Sequence, residues 1–122
     1  MGDTKVVLIM DDENHELRAT ESLIENLLPG WRIETMLSFV EGDPLPERVD
    51  LAILDFVMFD SMSVYDRTRL IRQKYGDACL IICHSKNMDG FLVRGLEQAG
   101  IDHAIYKNQD ALEKIIEEEG LL

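Results

Sequence analysis

Acidic, hydroxyl and basic side chains follow four apolar segments of the chain, each at the point where the segment ends. Asp11 and Asp12 follow the first segment, Asp55 follows the second, and Ser85 and Lys107 follow two later ones. Carboxylates gathered in one place repel each other, and a hard divalent cation such as Mg²⁺ relieves that repulsion. A hydroxyl and an ammonium group are suited to phosphoryl oxygens. The set therefore indicates a site for a divalent cation and a phosphoryl group.

In-line phosphoryl transfer to Asp55 would use all of these groups. The carboxylate would be the acceptor, and the cation, Ser85 and Lys107 would stabilise the charge on the transferred group. For Asp55 taken alone, a cap of a turn or helix is an equally good interpretation. The combination of all five residues at segment ends favours phosphoryl transfer.

These residues must be brought together by strands. Unbroken apolar runs are typical of strands buried on both faces of a parallel sheet, and weaker alternation predicts two further strands. The five predicted strands cover Lys5–Met10, Trp31–Leu37, Asp50–Leu54, Leu80–Cys83 and His103–Tyr106. Because the carboxyl ends of parallel strands meet at one edge of a sheet, the polar residues converge there.

Helices are predicted between the strands. Periodic apolar positions predict helices at about 14–28, with Asn14 or Asp12 as cap, and at about 63–75, 89–99 and 110–119, with Asp110 capping the last. The segment 38–48 contains Pro44 and Pro46, so a helix there is stunted or absent. The alternation predicts an α/β, doubly wound parallel sheet in a single domain, 1–122.

Composition narrows the classes of function. The chain has 122 residues and a net charge of −12, which argues against nucleic-acid binding because phosphate contacts need Lys and Arg patches. No apolar run approaches membrane-spanning length, and the start of the chain lacks a secretory apolar region, so we expect a cytoplasmic protein. Cys79 and Cys83 lie four apart in a predicted strand and are interpreted as buried, reduced thiols on one face.

From Lys5 to about Glu119, the chain resembles the receiver domain of two-component response regulators. The resemblance rests on four segments, which are Val7–Glu13 (VLIMDDE), Asp50–Asp55 (DLAILD), Ile81–Ser85 (IICHS) and Gly100–Lys107 (GIDHAIYK). It implies a flavodoxin-like five-stranded sheet with strand order 2-1-3-4-5. It also implies about five helices, the second short or degenerate.

The resemblance assigns a role to each site residue. Asp55 would accept a phosphoryl group, and Asp12, Asp55 and the Val57 carbonyl would hold Mg²⁺ or Mn²⁺, with Asp11 reaching the ion through water. Ser85 and Lys107 would bind the phosphoryl oxygens. Their movement would then switch the surface formed by the predicted helix at 89–99 and strand five.

The resemblance also implies partners. The donor would be the phosphohistidine of a sensor histidine kinase or a histidine phosphotransfer protein. The receiver of the signal would be an unknown downstream protein or output domain, and the resemblance allows a homodimer. Such a domain phosphorylates and dephosphorylates itself and is not a turnover enzyme. No direct contact with nucleic acid or membrane is expected.

The chain departs from the family pattern around the site. Phe59 and Asn108 stand where the family usually has proline, and Ser63 where it usually has glycine. Lys86 stands where a small residue is usual, and Ala104 where an aromatic switch residue is common. These departures leave the acidic pocket intact and bear on the signalling output.

Several interpretations remain open. Lys86 is either a solvated charge or, with Val57 and Asn87, a residue that tunes the lifetime of the phosphate. His84 is interpreted as a partly exposed residue at a strand end. The main alternative is a receiver-like interaction module that works without phosphorylation. A flavodoxin-like enzyme or nucleotide binder would need a Gly-rich loop after the first strand, and a haloacid-dehalogenase-type phosphatase would need Asp-x-Asp there; the chain has neither.

Overall fold

The computed structural model describes residues 4–122 and contains one five-stranded parallel sheet. The strands are β1 Val6–Met10, β2 Arg32–Met36, β3 Leu51–Asp55, β4 Leu80–Ser85 and β5 His103–Tyr106. Their order in the sheet is β2-β1-β3-β4-β5. The predicted doubly wound α/β fold is therefore confirmed.

In the described part of the chain, four α-helices cover the two faces of the sheet. They are α1 Asn14–Leu27, α2 Val64–Tyr75, α3 Gly90–Gln98 and α4 Gln109–Glu118. Among residues 4–122, none of the helices is long and apolar enough to cross a membrane. The predicted loss of a helix between β2 and β3 is confirmed, since the chain there is irregular. The end of α2 holds that segment: Lys74 Nζ donates to the Leu45 carbonyl at 3.1 Å and the Tyr75 hydroxyl donates to the Pro46 carbonyl.

The alternation of side chains along the strands builds two apolar layers. One layer lies between the sheet and helices α2 and α3, and contains Leu54 and Cys83 among its buried residues. The other lies between the sheet and helices α1 and α4, and contains Ile53 and Ile82. Cys79 and Cys83 are free thiols in the first layer, and burial raises the pKa of each to about 12.

Two predicted helix caps are wrong. Helix α1 begins at Asn14, and the residue at its cap position is Glu13, whose side chain makes no cap hydrogen bond. Asp12 does not cap the helix, because its carboxylate accepts a hydrogen bond from the Phe59 amide at 2.9 Å. Helix α4 is capped by Asn108, whose side-chain oxygen accepts from the Ala111 amide at 3.1 Å. Asp110 lies in the first turn of that helix instead.

Candidate functional site

Asp11, Asp12 and Asp55 lie at the carboxyl ends of β1 and β3, which are neighbours at the centre of the sheet. Asp11 is fully buried and Asp55 is 8% exposed. Asp11 Oδ1 accepts from the Glu13 amide at 3.0 Å, so the backbone after β1 fixes that carboxylate. The strands thus place the three predicted carboxylates at one edge of the sheet.

Lys107 follows β5 and reaches across to these carboxylates. Its Nζ lies 2.7 Å from Asp11 Oδ2, 2.8 Å from Glu16 Oε2 and 3.4 Å from Asp55 Oδ1. Burial works against the charged ammonium, but the hydrogen bonds to Asp11 and Glu16 and the charge of Asp55 outweigh it and raise the pKa of Lys107. The lysine is therefore a permanent cation held beside the predicted acceptor.

The carboxylate of Asp55 is destabilised in the absence of a metal ion. Burial, followed by the charge of Asp11, raises its pKa from 3.8 to about 6, even though Lys107 acts in the opposite direction. A divalent cation would favour the ionised form. The donors at this edge are oxygen atoms, which are the ligands that Mg²⁺ and Mn²⁺ prefer, so the residues present fit such an ion.

A cleft of about 220 Å³ opens above Asp55 and gathers nearly all of the predicted site. It is lined by Asp12, Glu13, Glu16, Asp55, Val57, Phe59, Ser85, Lys86, Asn87 and Lys107. Asp11 lies below it and is tied to the cleft through Lys107. The Ser85 hydroxyl oxygen accepts from the Asn87 amide at 3.2 Å, which leaves its proton free to be donated.

Lys86 and Glu16 form a pair at the mouth of the cleft. Lys86 Nζ lies 3.4 Å from Glu16 Oε1 and 3.7 Å from Glu13 Oε2, so both partners of this lysine are carboxylates of the segment that begins α1. Burial opposes ionisation of Glu16, but its hydrogen bonds to Glu13, Lys107 and Lys86 lower its pKa to about 2. Glu16 was not identified from the sequence, and its position in the first turn of α1, four residues after Asp12, was the available signal.

Comparison with solved structures identifies the fold. The receiver domain of a DNA-binding response regulator from Colwellia psychrerythraea 34H is 18% identical with a TM-score of 0.79, over 97% of this chain and 99% of that one. A CheY-like receiver domain from Methanospirillum hungatei JF-1 is 21% identical with a TM-score of 0.74, over 96% and 94%. The chain has the receiver-domain fold.

The same fold also occurs in a protein that is not named as a response regulator. A protein with a proposed role in pilus assembly from Burkholderia thailandensis E264 is 12% identical with a TM-score of 0.76, and the match covers 98% of this chain and all of the other. No protein-family model and no curated protein sequence matches the chain. The likeness therefore establishes the fold alone, and the function of this chain has to be inferred from the residues of the cleft.

His84 is not the partly exposed strand-end residue that the sequence suggested. It is 2% exposed, because β4 continues to Ser85 and directs His84 to the face covered by α1 and α4. Its ring nitrogen Nε2 has no hydrogen-bond partner among the described residues. One nitrogen of the ring and one oxygen each of Asp11 and Asp55 lie within 4.8 Å of one another. Burial, followed by the charge of Lys107, lowers the pKa of His84 to about 4, so the ring is neutral at pH 7.

Arg67 is a second buried polar residue that the sequence analysis missed. Its side chain is completely buried, and it donates to three backbone carbonyls around the loop after β3. The signal was present in the sequence, since position 67 lies three residues after Val64 and four before Ile71 on the inner face of α2.

Proposed function

We propose that the chain is a Mg²⁺-dependent phosphoacceptor domain, and that Asp55 receives a phosphoryl group from the phosphohistidine of a kinase or a histidine phosphotransfer protein. The observation that carries the proposal is the position of Lys107. Its ammonium lies 2.7 Å from the buried Asp11 and 3.4 Å from Asp55, in a cleft that Ser85 also lines. A carboxylate that meets an ammonium and a free hydroxyl in one cleft has the groups that phosphoryl transfer requires.

The metal ligands would be Asp12, Asp55 and the Val57 carbonyl, with Asp11 in the outer shell. Asp12, Asp55 and Val57 line the cleft together. Bound Mg²⁺ would neutralise charge that develops on the phosphoryl oxygens. Mn²⁺ could take the same place, because it also prefers oxygen ligands.

In the proposed reaction, a carboxylate oxygen of Asp55 attacks phosphorus in line with the leaving group. The bond between phosphorus and the imidazole nitrogen breaks, and the nitrogen keeps the electron pair. Lys107 and the Ser85 hydroxyl would donate to the equatorial phosphoryl oxygens. Water later attacks the aspartyl phosphate and releases inorganic phosphate, which regenerates Asp55. Asp55 is thus phosphorylated and then dephosphorylated within the domain, and we propose no turnover of an external substrate.

Phosphorylation would change the surface formed by α3 and β5. Ser85 ends β4, which leads into α3, and Lys107 follows β5. The Lys107 amide donates to the Ser85 carbonyl at 2.8 Å, so a shift of either residue is passed to the other. Ala104 offers no ring to reorient, and Tyr106 is 59% exposed, so Tyr106 is the aromatic residue of β5 that a downstream partner would meet. We place this signalling in the cytoplasm, where kinase phosphodonors are formed.

The alternative function is a receiver-like module that binds partners without phosphorylation. It is favoured by the two ion pairs of Glu16, whose Oε2 lies 2.8 Å from Lys107 Nζ and whose Oε1 lies 3.4 Å from Lys86 Nζ. A phosphoryl group would have to compete with this carboxylate for Lys107. The exposed Phe59 at the rim of the cleft is also consistent with a surface for protein contacts.

Incubation with acetyl phosphate and Mg²⁺, followed by intact-mass measurement, tests the proposal. The wild type should gain the mass of one phosphoryl group, and the gain should be absent with EDTA and in Asp55→Asn. Asp60→Asn is the matched control, because Asp60 is an exposed carboxylate on the same loop and does not line the cleft. Asparagine also tolerates the positive φ of 55° at that position.

The opposite results would favour the alternative. A wild type that gains no mass from acetyl phosphate, and none from a panel of phosphorylated histidine phosphotransfer proteins, would contradict phosphoacceptor function. A gain that persists in Asp55→Asn would place the modification elsewhere on the chain.

A further inference from the structure

Arg67 is a charged side chain buried at a cost to stability. It is completely buried in α2, and no ion pair to it is found within residues 4–122. Its Nη1 has no hydrogen-bond partner in that part of the chain. Burial lowers the pKa of the guanidinium. Because an unpaired buried charge is costly, an apolar residue would serve the core better if stability were the only requirement.

The bonds of Arg67 go to the two ends of one loop, which covers residues 56–62. Nη2 donates to the carbonyls of Asp55 at 2.8 Å and Phe56 at 3.1 Å, and Nε donates to the carbonyl of Met62 at 3.0 Å. Val57 follows the first two carbonyls directly. A planar guanidinium that binds two successive carbonyls fixes the peptide planes on either side of Phe56. The orientation of the backbone entering Val57 therefore depends on Arg67, together with the Phe56 amide, which donates to the His84 carbonyl at 3.0 Å.

The loop is tied to the carboxylate site at its middle as well. The Phe59 amide donates to Asp12 Oδ2 at 2.9 Å, and the Met62 amide donates to the Phe39 carbonyl at 2.9 Å. Arg67 thus completes a set of bonds that holds the loop from below, while Asp12 holds it from the cleft. The charges of Asp55 and Asp12 favour the ionised guanidinium, which keeps it a strong donor.

We propose that Arg67 is a positioning residue that orients the Val57 carbonyl toward the carboxylates and thereby sets the Mg²⁺ affinity of the cleft. This inference rests on the proposed function, because it takes the Val57 carbonyl as a metal ligand. Groups that orient metal ligands without touching the metal change metal affinity by about 10-fold to 100-fold when removed.

Helix α2 supplies a matched control in Arg72. Arg72 also binds backbone carbonyls, namely those of Gly100 at 2.8 Å, Gly76 at 2.9 Å and Cys79 at 2.6 Å. These groups lie at the opposite edge of the sheet, before β4 and β5 begin. Loss of Arg72 should therefore lower the free energy of unfolding without disturbing the cleft.

The experiment is a titration of the full chain with Mg²⁺ by isothermal calorimetry, for wild type, Arg67→Met, Arg67→Lys and Arg72→Met. We expect Arg67→Met to bind Mg²⁺ at least about tenfold more weakly than wild type. Arg67→Lys keeps the charge but lacks the planar fork, so its affinity should fall between the two. Arg72→Met should bind Mg²⁺ as the wild type does. If Arg67→Met does not fold, Arg67→Lys carries the test alone.

Hydrogen exchange without metal gives a second readout. The Phe59 and Met62 amides should exchange faster in the Arg67 variants and at the wild-type rate in Arg72→Met. Wild-type Mg²⁺ affinity in folded Arg67 variants would overturn the inference and leave the proposed function standing. A wild type that binds no Mg²⁺ would overturn both.

Discussion

Asp55 and His84 lie opposite each other on β3 and β4. Their ionisation changes the free energy of unfolding in opposite directions as the pH rises. Burial raises the pKa of Asp55 to about 6 and lowers the pKa of His84 to about 4. Between these values the folded protein holds a protonated Asp55 and a neutral His84. Each residue therefore contributes a slope to the pH dependence of stability, and the two slopes oppose each other in the wild type.

Asp55→Asn should stabilise the metal-free protein at neutral pH. The raised pKa means that the folded state binds a proton which the unfolded state has lost, so ionisation of Asp55 costs stability as the pH rises from about 4 to about 6. A shift of about two pKa units corresponds to about 3 kcal/mol in the free energy of unfolding. We expect a gain of that order at pH 7 and none below pH 4, measured by urea denaturation in EDTA. Equal stability of the two proteins at pH 7 would contradict the effect.

His84→Leu should remove the opposite slope. In the wild type the unfolded histidine gains a proton near its ordinary pKa of 6.5, whereas the folded one does so only near 4. Stability is therefore lost as the pH falls through this window, by about 3 kcal/mol in total. The leucine variant should be more stable than wild type at pH 4, again by urea denaturation in EDTA. His15, which is exposed on α1, provides the control in His15→Gln.

The Asn108 cap connects the start of helix α4 to Lys107 of the cleft. Asn108 follows Lys107 directly, and its side chain accepts the Ala111 amide at 3.1 Å. The cap fixes the start of α4 and with it the backbone that follows the lysine. The receiver domains that the sequence resembles usually have proline at this position, and a proline side chain could not accept such a bond.

Asn108→Ala should therefore destabilise the protein by about 1 kcal/mol, which is the usual cost of losing a cap. Asp110→Ala is the informative comparison, because the sequence predicted that residue as the cap. It should cost less than Asn108→Ala, since a first-turn carboxylate contributes only through the helix dipole. Thermal denaturation of the two variants decides between the two positions, and a larger loss in Asp110→Ala would contradict the cap at Asn108.

Strands were the elements that the sequence predicted best. Runs such as Leu51–Leu54 are apolar on both faces, and in a chain of this length such short runs are typical of buried strands. Helix starts were harder, because Asp12, Asn14, Asn108 and Asp110 are all good caps by type. The choice among them depended on tertiary contacts, such as the bond from the Phe59 amide to Asp12.

The carboxylates, Ser85 and Lys107 could be found from the sequence because strand ends converge in any sheet of this order. The burial of Arg67 and His84 was not predicted, because arginine is usually exposed and histidine is buried only in some positions. For Arg67, its spacing from Val64 and Ile71 on α2 was a weaker signal that pointed to burial. The partners of Arg67 are carbonyls at the two ends of the loop that directly precedes its own helix. A polar residue within an otherwise apolar helix face, as at Arg67 between Val64 and Ile71, is therefore a sequence signal of a buried polar group.

The acidity of the whole molecule complicates any test of metal binding. With a net charge of −12, the folded chain repels itself, and any salt relieves part of that repulsion. Specific binding of Mg²⁺ at the cleft must therefore be separated from general screening. Sodium chloride at matched ionic strength supplies the screening alone.

Mg²⁺ should stabilise the wild type beyond the effect of sodium chloride at the same ionic strength. At a concentration ten times Kd, the free energy of unfolding should rise by about 1.4 kcal/mol, because the ion binds only the folded state. Asp12→Asn should lose this increment while keeping a side-chain oxygen for the Phe59 amide, so the loop remains tied. Asp60→Asn should keep the increment. The free energy of unfolding of the three proteins is measured by urea denaturation in each of the two salts. An equal rise with Mg²⁺ in Asp12→Asn and in the wild type would mean that the ion only screens the charge of the molecule.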